Sequence, residues 1–316
     1  MKRNMRAWMF SVANSPERKA VPVLSFPGIT LLGVNVVDLV SDGRVQYESM
    51  QAIANRYSTA AAVSMMDLSV EAEAFGSPVN FSNEEVPTVK ARIIAGKEDA
   101  EALKVPEVGD GRTGEYIRAI SLAARNIVDR PVFAGMIGPF SLSGRLMDMT
   151  EIMVASITEP ELVHTVLEKT TSFLIGYANA YKQAGANGLI IAEPAAGLLS
   201  PEMCDAFSSV YVRRIVEAVQ DDSFMVILHN CGNTVPLVRS MLSTGAMGYH
   251  FGNAVDMADI MPQIPWGVLA MGNIDPARVF KNGTVQDVRE KTHELLVKTA
   301  NYKNFVLSSG CDIPPL

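Results

Sequence analysis

Four histidines and three cysteines in 316 residues hold most of this chain's capacity for metal or thiolate chemistry. His229 and Cys231 stand two apart in 228-LHNCGNT, and Cys311 stands in 309-SGCDIPP. At this composition a His-x-Cys is expected by chance only about 0.04 times. Each motif follows a short apolar run, 224-FMVILH or 305-FVLSS, that reads as a buried strand. Side chains two apart on a strand face the same way, so His229 and Cys231 share a face. An imidazole and two thiolates form a good zinc set, and three protein ligands leave a fourth position for substrate. The competing reading is that both cysteines are small buried hydrophobes. Two thiolates donate much charge and weaken zinc as a water activator. The chemistry favoured is therefore a substrate thiol held as thiolate at neutral pH, ready to attack a methyl group. The residues alone do not name that thiol.

Bringing Cys311 to His229 and Cys231 requires that their strands end on one rim. Eight short apolar runs recur: 21-VPVLSF, 60-AAAVSMM, 132-VFAGM, 188-GLIIA, 224-FMVILH, 246-AMGYH, 267-GVLAM and 305-FVLSS. Longer amphipathic stretches separate them, such as 115-EYIRAISLAARNI and 285-VQDVREKTHELLVKTAN. This alternation predicts an α/β fold, a (β/α)8 TIM barrel spanning 1–316 as one domain, with catalytic groups at the C-terminal strand ends. An open doubly wound sheet is the alternative, but no Gly-rich dinucleotide fingerprint follows the first run. Residues 1–20 read as a helical extension, and 68–131 as a long insertion over the barrel mouth. The chain ends seven residues after the eighth run. The expectation is that the helix normally covering that strand is missing, or that something else covers it.

Further groups fall on the same rim. Glu193, in 191-IAEPAAG, ends the fourth run and is either a removable fourth ligand or a helix cap. Asp67, in 65-MMDLSVEAEAFG, is a second rim acid suited to proton transfer or binding, with Glu71 and Glu73 beyond it. Ser141, in 137-IGPFSLSGR, lies on a loop able to meet a ligand's polar edge, and Asn273 and Asp275 follow the seventh run in 272-GNIDP. For these, turn chemistry is the plainer alternative. His250 ends the sixth run and is a weaker rival to His229. His164, His293 and Cys204 fall within helical stretches and read as packing or surface residues.

A formal charge of −7 argues against nucleic acid, and no run of 18 apolar residues predicts a membrane span. Three cysteines are no disulfide framework, so the expected compartment is the cytoplasm with reduced thiols. The start, MKRNMRAWMFSVANS, has a basic and then an apolar part like a signal peptide, yet Met9, Phe10 and Val12 fit a helix face as well.

With these residues in place, the chain resembles the uroporphyrinogen decarboxylase superfamily, and within it the methylcobamide:coenzyme M methyltransferases. The likeness runs from about 20-AVPVLSF to 311-CDIPP through 66-MDLSVEAEAFG, 135-GMIGPFSLSGRL, 199-LSPEM, 229-HNCGN, 271-MGNIDP and 309-SGCDIPP. The resemblance implies zinc on His229, Cys231 and Cys311, activating the thiol of coenzyme M. It implies that a methylated corrinoid protein supplies the methyl group, with Co(I) as leaving group. Glu193 would hold zinc until the thiol arrives, and Asp67 and the Ser141 loop would shape the pocket. The decarboxylases proper carry an Arg-rich motif where this chain has 26-FPGITLLGV, without Arg, although Asp67 falls where they keep an essential aspartate. A tetrapyrrole decarboxylase and a non-catalytic corrinoid-binding barrel are the rival functions.

Overall fold

The computed structural model describes residues 2–315. Seven parallel strands pair in chain order: β1 (Ala62–Val63), β2 (Val132–Ile137), β3 (Gly188–Ala192), β4 (Met225–Asn230), β5 (Gly248–Phe251), β6 (Leu269–Ile274) and β7 (Phe305–Ser309). Their residues are almost all buried, because both faces are covered. Val226 and Leu228 of β4 face the helix layer, whereas Met225 and Ile227 point inward among Phe133, Ile190, Met271 and Val306. Such strands read as unbroken apolar runs.

The first run, residues 20–24, fills the gap between the sheet's two edges. Val21 N donates to Leu307 O at 2.9 Å, Leu307 N to Lys19 O at 3.1 Å, and Ala60 N to Ala20 O at 2.8 Å. The curled sheet thus becomes a TIM-barrel-like ring in which one of the eight expected strands is only a bridge between Ala20 and Leu307. Pro22 explains the reduction, since it has no N–H for a ladder. Val23 N turns instead to the Ser309 side chain, at 3.0 Å.

After the N-terminal helix α1 (Met5–Ala13), helices α2 (Gly43–Arg56), α3 (Thr113–Asn126), α4 (Pro139–Met147), α5 (Pro160–Ala184), α6 (Val210–Val219) and α7 (Val285–Lys298) provide most of the outer layer. The 3.6-residue periodicity of α3 buries Tyr116, Ala119, Ile120 and Ala123. This face packs against α2 and α5. Between β1 and α3 lie a short helix at Val70–Ala74, a hairpin of Val79–Asn80 with Thr88–Val89, and a helix at Lys97–Ala102. Among the described residues no helix follows β7, and none is long and apolar enough to cross a membrane.

The N-terminal helix has a definite place. Asn4 caps it by accepting from Ala7 N at 2.8 Å, and Met5 N donates to Asp222 O, just ahead of β4. Met5, Met9 and Val12 bury among the inward residues of the barrel, and Trp8 meets Phe133 with ring centroids 5.7 Å apart. Phe10, on the opposite side, is exposed. The apolar part of the N-terminus is therefore a stopper for the end of the barrel away from the catalytic rim, which leaves that rim as the open end.

Candidate metal centre

Inward positions of β4 alternate as Met225, Ile227 and His229, and Cys231 continues that row just past the strand. Cys311 arrives two residues beyond β7. One ligand atom from each of His229, Cys231 and Cys311 lies within 4.8 Å of the others. Ligands on a tetrahedral zinc, with bonds of about 2.0–2.3 Å, sit about 3.5–3.8 Å apart. His229 is buried, and its Nε2 has no hydrogen-bond partner. An orphaned buried nitrogen beside two thiols fits a metal ligand, because its desolvation is otherwise uncompensated. Close backbone approach brings the three together. A Cβ on Gly252 would lie 2.4 Å from Cys231 Cα, so only glycine lets the end of β5 close on Cys231.

The thiols share their protons unequally. The hydrogen bond shared with Cys311 pushes the Cys231 thiol down to about 4. Cys311 is pushed up by that same bond and by burial. Cys204 is elsewhere: it is buried 3.6 Å from Ser209 Oγ, its thiol pushed up to about 11 by burial, in the packing role expected of it.

Glu193 neighbours His229 through the register that pairs Ala192 with His229. Its carboxylate caps α4, accepting from Phe140 N at 3.1 Å and Ser141 N at 2.6 Å. To reach a metal it must release both donors. Burial raises its pKa to about 7 despite them. Ser141 completes the same joint, its hydroxyl accepting from Ala195 N at 3.0 Å. Asn273 donates to Gly252 O at 3.0 Å and Val255 O at 2.7 Å, so it fixes the loop that covers Cys231. With Asn253, Asp275 and Arg278 it lines a groove of about 700 Å³ on the β5–β6 side of the rim.

Asp67 is further from solvent than a rim acid is expected to be. It accepts from Arg112 at 2.6 Å, Tyr116 Oη at 3.1 Å, and the Ser69 N–H and hydroxyl at 3.0 and 2.7 Å. The sequence reading missed Arg112, Tyr116 and Asp312. Asp312, beside Cys311, is half-buried, and desolvation raises it to about 7. It accepts from Ser25 N and Met66 N, both at 3.4 Å, tying the closing segment to the end of β1. Arg112 lies in 109-GDGRTG, which reads as a plain turn. Asp312 was legible only as the neighbour of a candidate ligand.

Glu71 is also buried, one oxygen accepting from Ile137 N at 3.1 Å and the other without a partner. Burial pushes its pKa up to about 8. Between about pH 4.5 and 8 the folded chain therefore retains a proton that the unfolded chain has released. Stability contributed by this group falls as pH rises through that window and is flat below it, at no more than about 1.4 kcal/mol per pH unit. Urea midpoints of wild type and Glu71→Gln across pH 4.5–8 should show a shallower decline in the variant. Parallel curves would exclude Glu71 as the source.

The Uroporphyrinogen decarboxylase (URO-D) family profile matches residues 18–316. The chain is 29% identical over 252 residues to the methylcobamide:CoM methyltransferase MtbA of Methanosarcina acetivorans, covering 78% of this chain and 72% of that one. It is 30% identical over 223 residues to the uroporphyrinogen decarboxylase of Desulfotalea psychrophila, covering 68% and 64%. A solved methyltransferase from Methanosarcina mazei superposes with a TM-score of 0.86 over 99% of this chain and 94% of that chain, at 23% identity. With the profile running from the closing segment of the ring to beyond Cys311, this chain belongs to the uroporphyrinogen decarboxylase family.

Proposed function

We propose that this protein moves a methyl group from a methylated corrinoid to a thiol such as coenzyme M, with zinc held by His229, Cys231 and Cys311. The observation that carries this reading is the convergence of those three side chains at the rim. Similarity to methylcobamide:CoM methyltransferases supports it. Bound there, zinc supplies a Lewis acid that brings an acceptor thiol below its ordinary pKa of about 8.5. In the overall exchange the thiol loses its proton, a sulfur–carbon bond forms, and the cobalt–carbon bond breaks with its electron pair left on Co(I).

The protein's own groups arrange that exchange. Asn273 and Gly252 keep the β5 loop against Cys231, so that the thiolate pair holds one geometry. Glu193 and Ser141 fix the start of α4 beside the rim. Asp67 anchors the opposite wall through Arg112. The corrinoid is brought by a carrier protein that docks on the mouth. Ligand thiols that must stay reduced suit a reducing compartment such as the cytoplasm.

The test follows cobalt–methyl absorbance while zinc-loaded protein meets methylcobalamin and coenzyme M, with uroporphyrinogen offered in parallel. Demethylation that requires both protein and thiol is the expected result. Carbon dioxide from uroporphyrinogen without demethylation would install the decarboxylase reading instead. Methylcobalamin bound but intact with every thiol would mean a binding barrel without turnover.

A further inference from the structure

We propose that His250, itself locked by Ser308, is the positioning residue that fixes His229 in its Nδ1–H tautomer and so turns a bare Nε2 toward Cys231 and Cys311. The inference rests on the zinc reading above and concerns how the protein prepares its own ligand. His250 lies in β5, where the register sets it directly beside His229 of β4. It is not one of the three clustered ligands.

The direction of the hydrogen bonds is forced from the far end. Ser308 Oγ lies 2.7 Å from Val21 O. A carbonyl only accepts, so the serine proton goes there. Ser308 Oγ then takes its own hydrogen bond from His250 Nε2, 2.8 Å away. That places the His250 proton on Nε2 and leaves its Nδ1 as an acceptor. His229 Nδ1 lies 2.7 Å from this Nδ1 and 3.2 Å from the backbone oxygen of His250. Both partners accept, and one of them is again a carbonyl. His229 therefore carries its proton on Nδ1, and its lone pair falls on Nε2, the nitrogen buried without a partner.

The surroundings keep the chain in this order. Each residue is 1% exposed, so water does not offer either ring a different partner. A free neutral imidazole divides between two tautomers, and the Nε2–H form must lose a proton before that nitrogen can bind a metal. The serine and its carbonyl, both supplied where the barrel closes on residues 20–24, remove that choice. Closing the ring and preparing the ligand are thus one structural event.

Nitrogen-15 NMR of the metal-free protein, labelled at histidine, reads the tautomer directly. Expected is a pyrrole-type signal for His229 Nδ1 and a pyridine-type signal for Nε2. Zinc affinity, measured by chelator competition, should fall about 10–100-fold in His250→Leu and about tenfold in Ser308→Ala. His250→Asn should stay near wild type, because its Oδ1 can accept where Nδ1 did. Circular dichroism identifies any variant that has not folded, and the serine and asparagine variants remain informative if the leucine one fails. A wild-type His229 with its proton on Nε2 would overturn the assignment. So would a folded His250→Leu that keeps wild-type zinc affinity. A bare Nε2 in a wild type that binds no zinc would support the tautomer assignment while overturning the zinc reading.

Discussion

Cys311→Ala should leave the barrel folded and take away its zinc. Cys311 lies beyond the end of β7 and is only half-buried, so shortening its side chain opens no cavity in the main core. The ligand set suffers far more. Zinc sites with four protein ligands bind with about 10–16 kcal/mol, or about 2.5–4 per ligand, so losing one thiolate should weaken binding about 10²–10³-fold. Cys231→Ser should do the same, since it removes the other sulfur of the cluster. Demethylation of methylcobalamin by coenzyme M should fall with zinc occupancy in both. Cys204→Ala supplies the contrast: it should cost on the order of 1 kcal/mol of stability and leave zinc and turnover intact. Zinc content by atomic emission, thermal unfolding and the cobalt–methyl assay on the three variants decide the matter. One zinc per chain in Cys311→Ala, at wild-type affinity, would end the three-ligand site.

The barrel and its three clustered ligands were legible because both depend on short-range pattern. Runs buried on two faces stand out as runs, and β2 to β7 fall on runs marked in the sequence. His229 and Cys231 could be placed on one face from their spacing alone. Cys311 needed one further step, that parallel strands of a barrel end on a common rim. Where a single residue changed the pattern, the reading slipped. Residues 20–24 have the composition of a strand, yet Pro22 leaves them as a hydrogen-bonded strip. The stretch 201–220 reads as one helix, while the chain inserts a π turn at Asp205–Ser209 before α6.

The partners of the rim acids were not legible, and the reason is physical. A carboxylate at a strand end looks the same whether it faces solvent, a metal or a helix terminus. Glu193 is one strand from His229, as the strand order implies, but the N–H groups it accepts from belong to α4, whose Ser141 stands 52 residues earlier in the chain. The His229–His250–Ser308 relay needs the strand register and the closing segment together, and neither is written in local spacing. His250 was visible as a rim histidine; its service to His229 was not.

Arg112→Leu should be the most damaging single change outside the metal centre. The Asp67 side chain has 0% exposure and Arg112 9%, and the two meet at 2.6 Å. The same guanidinium donates to Glu73 at 2.6 Å, Ser69 Oγ at 2.8 Å and Val40 O at 3.2 Å, and lies 4.8 Å from the Phe81 ring centroid. It therefore joins the segment after β1 to the residues before α2 and to the hairpin. Removing it leaves the Asp67 carboxylate buried with only Tyr116 and Ser69, a loss of about 3–5 kcal/mol. Asp67→Asn should cost less, because Arg112 keeps Glu73 and some access to water. The double variant Asp67→Leu/Arg112→Leu should be more stable than Arg112→Leu alone, since a buried pair replaced by apolar groups leaves no stranded charge. Urea unfolding of wild type, Asp67→Leu, Arg112→Leu and the double variant measures this cycle. Strict additivity would mean that the two residues act independently, contrary to their contact. Turnover separates anchoring from chemistry: if Asp67→Asn keeps its stability but loses demethylation, the carboxylate itself takes part in the reaction. If activity instead follows stability across the cycle, Asp67 serves by holding Arg112, and the wall of the mouth is what the pair provides.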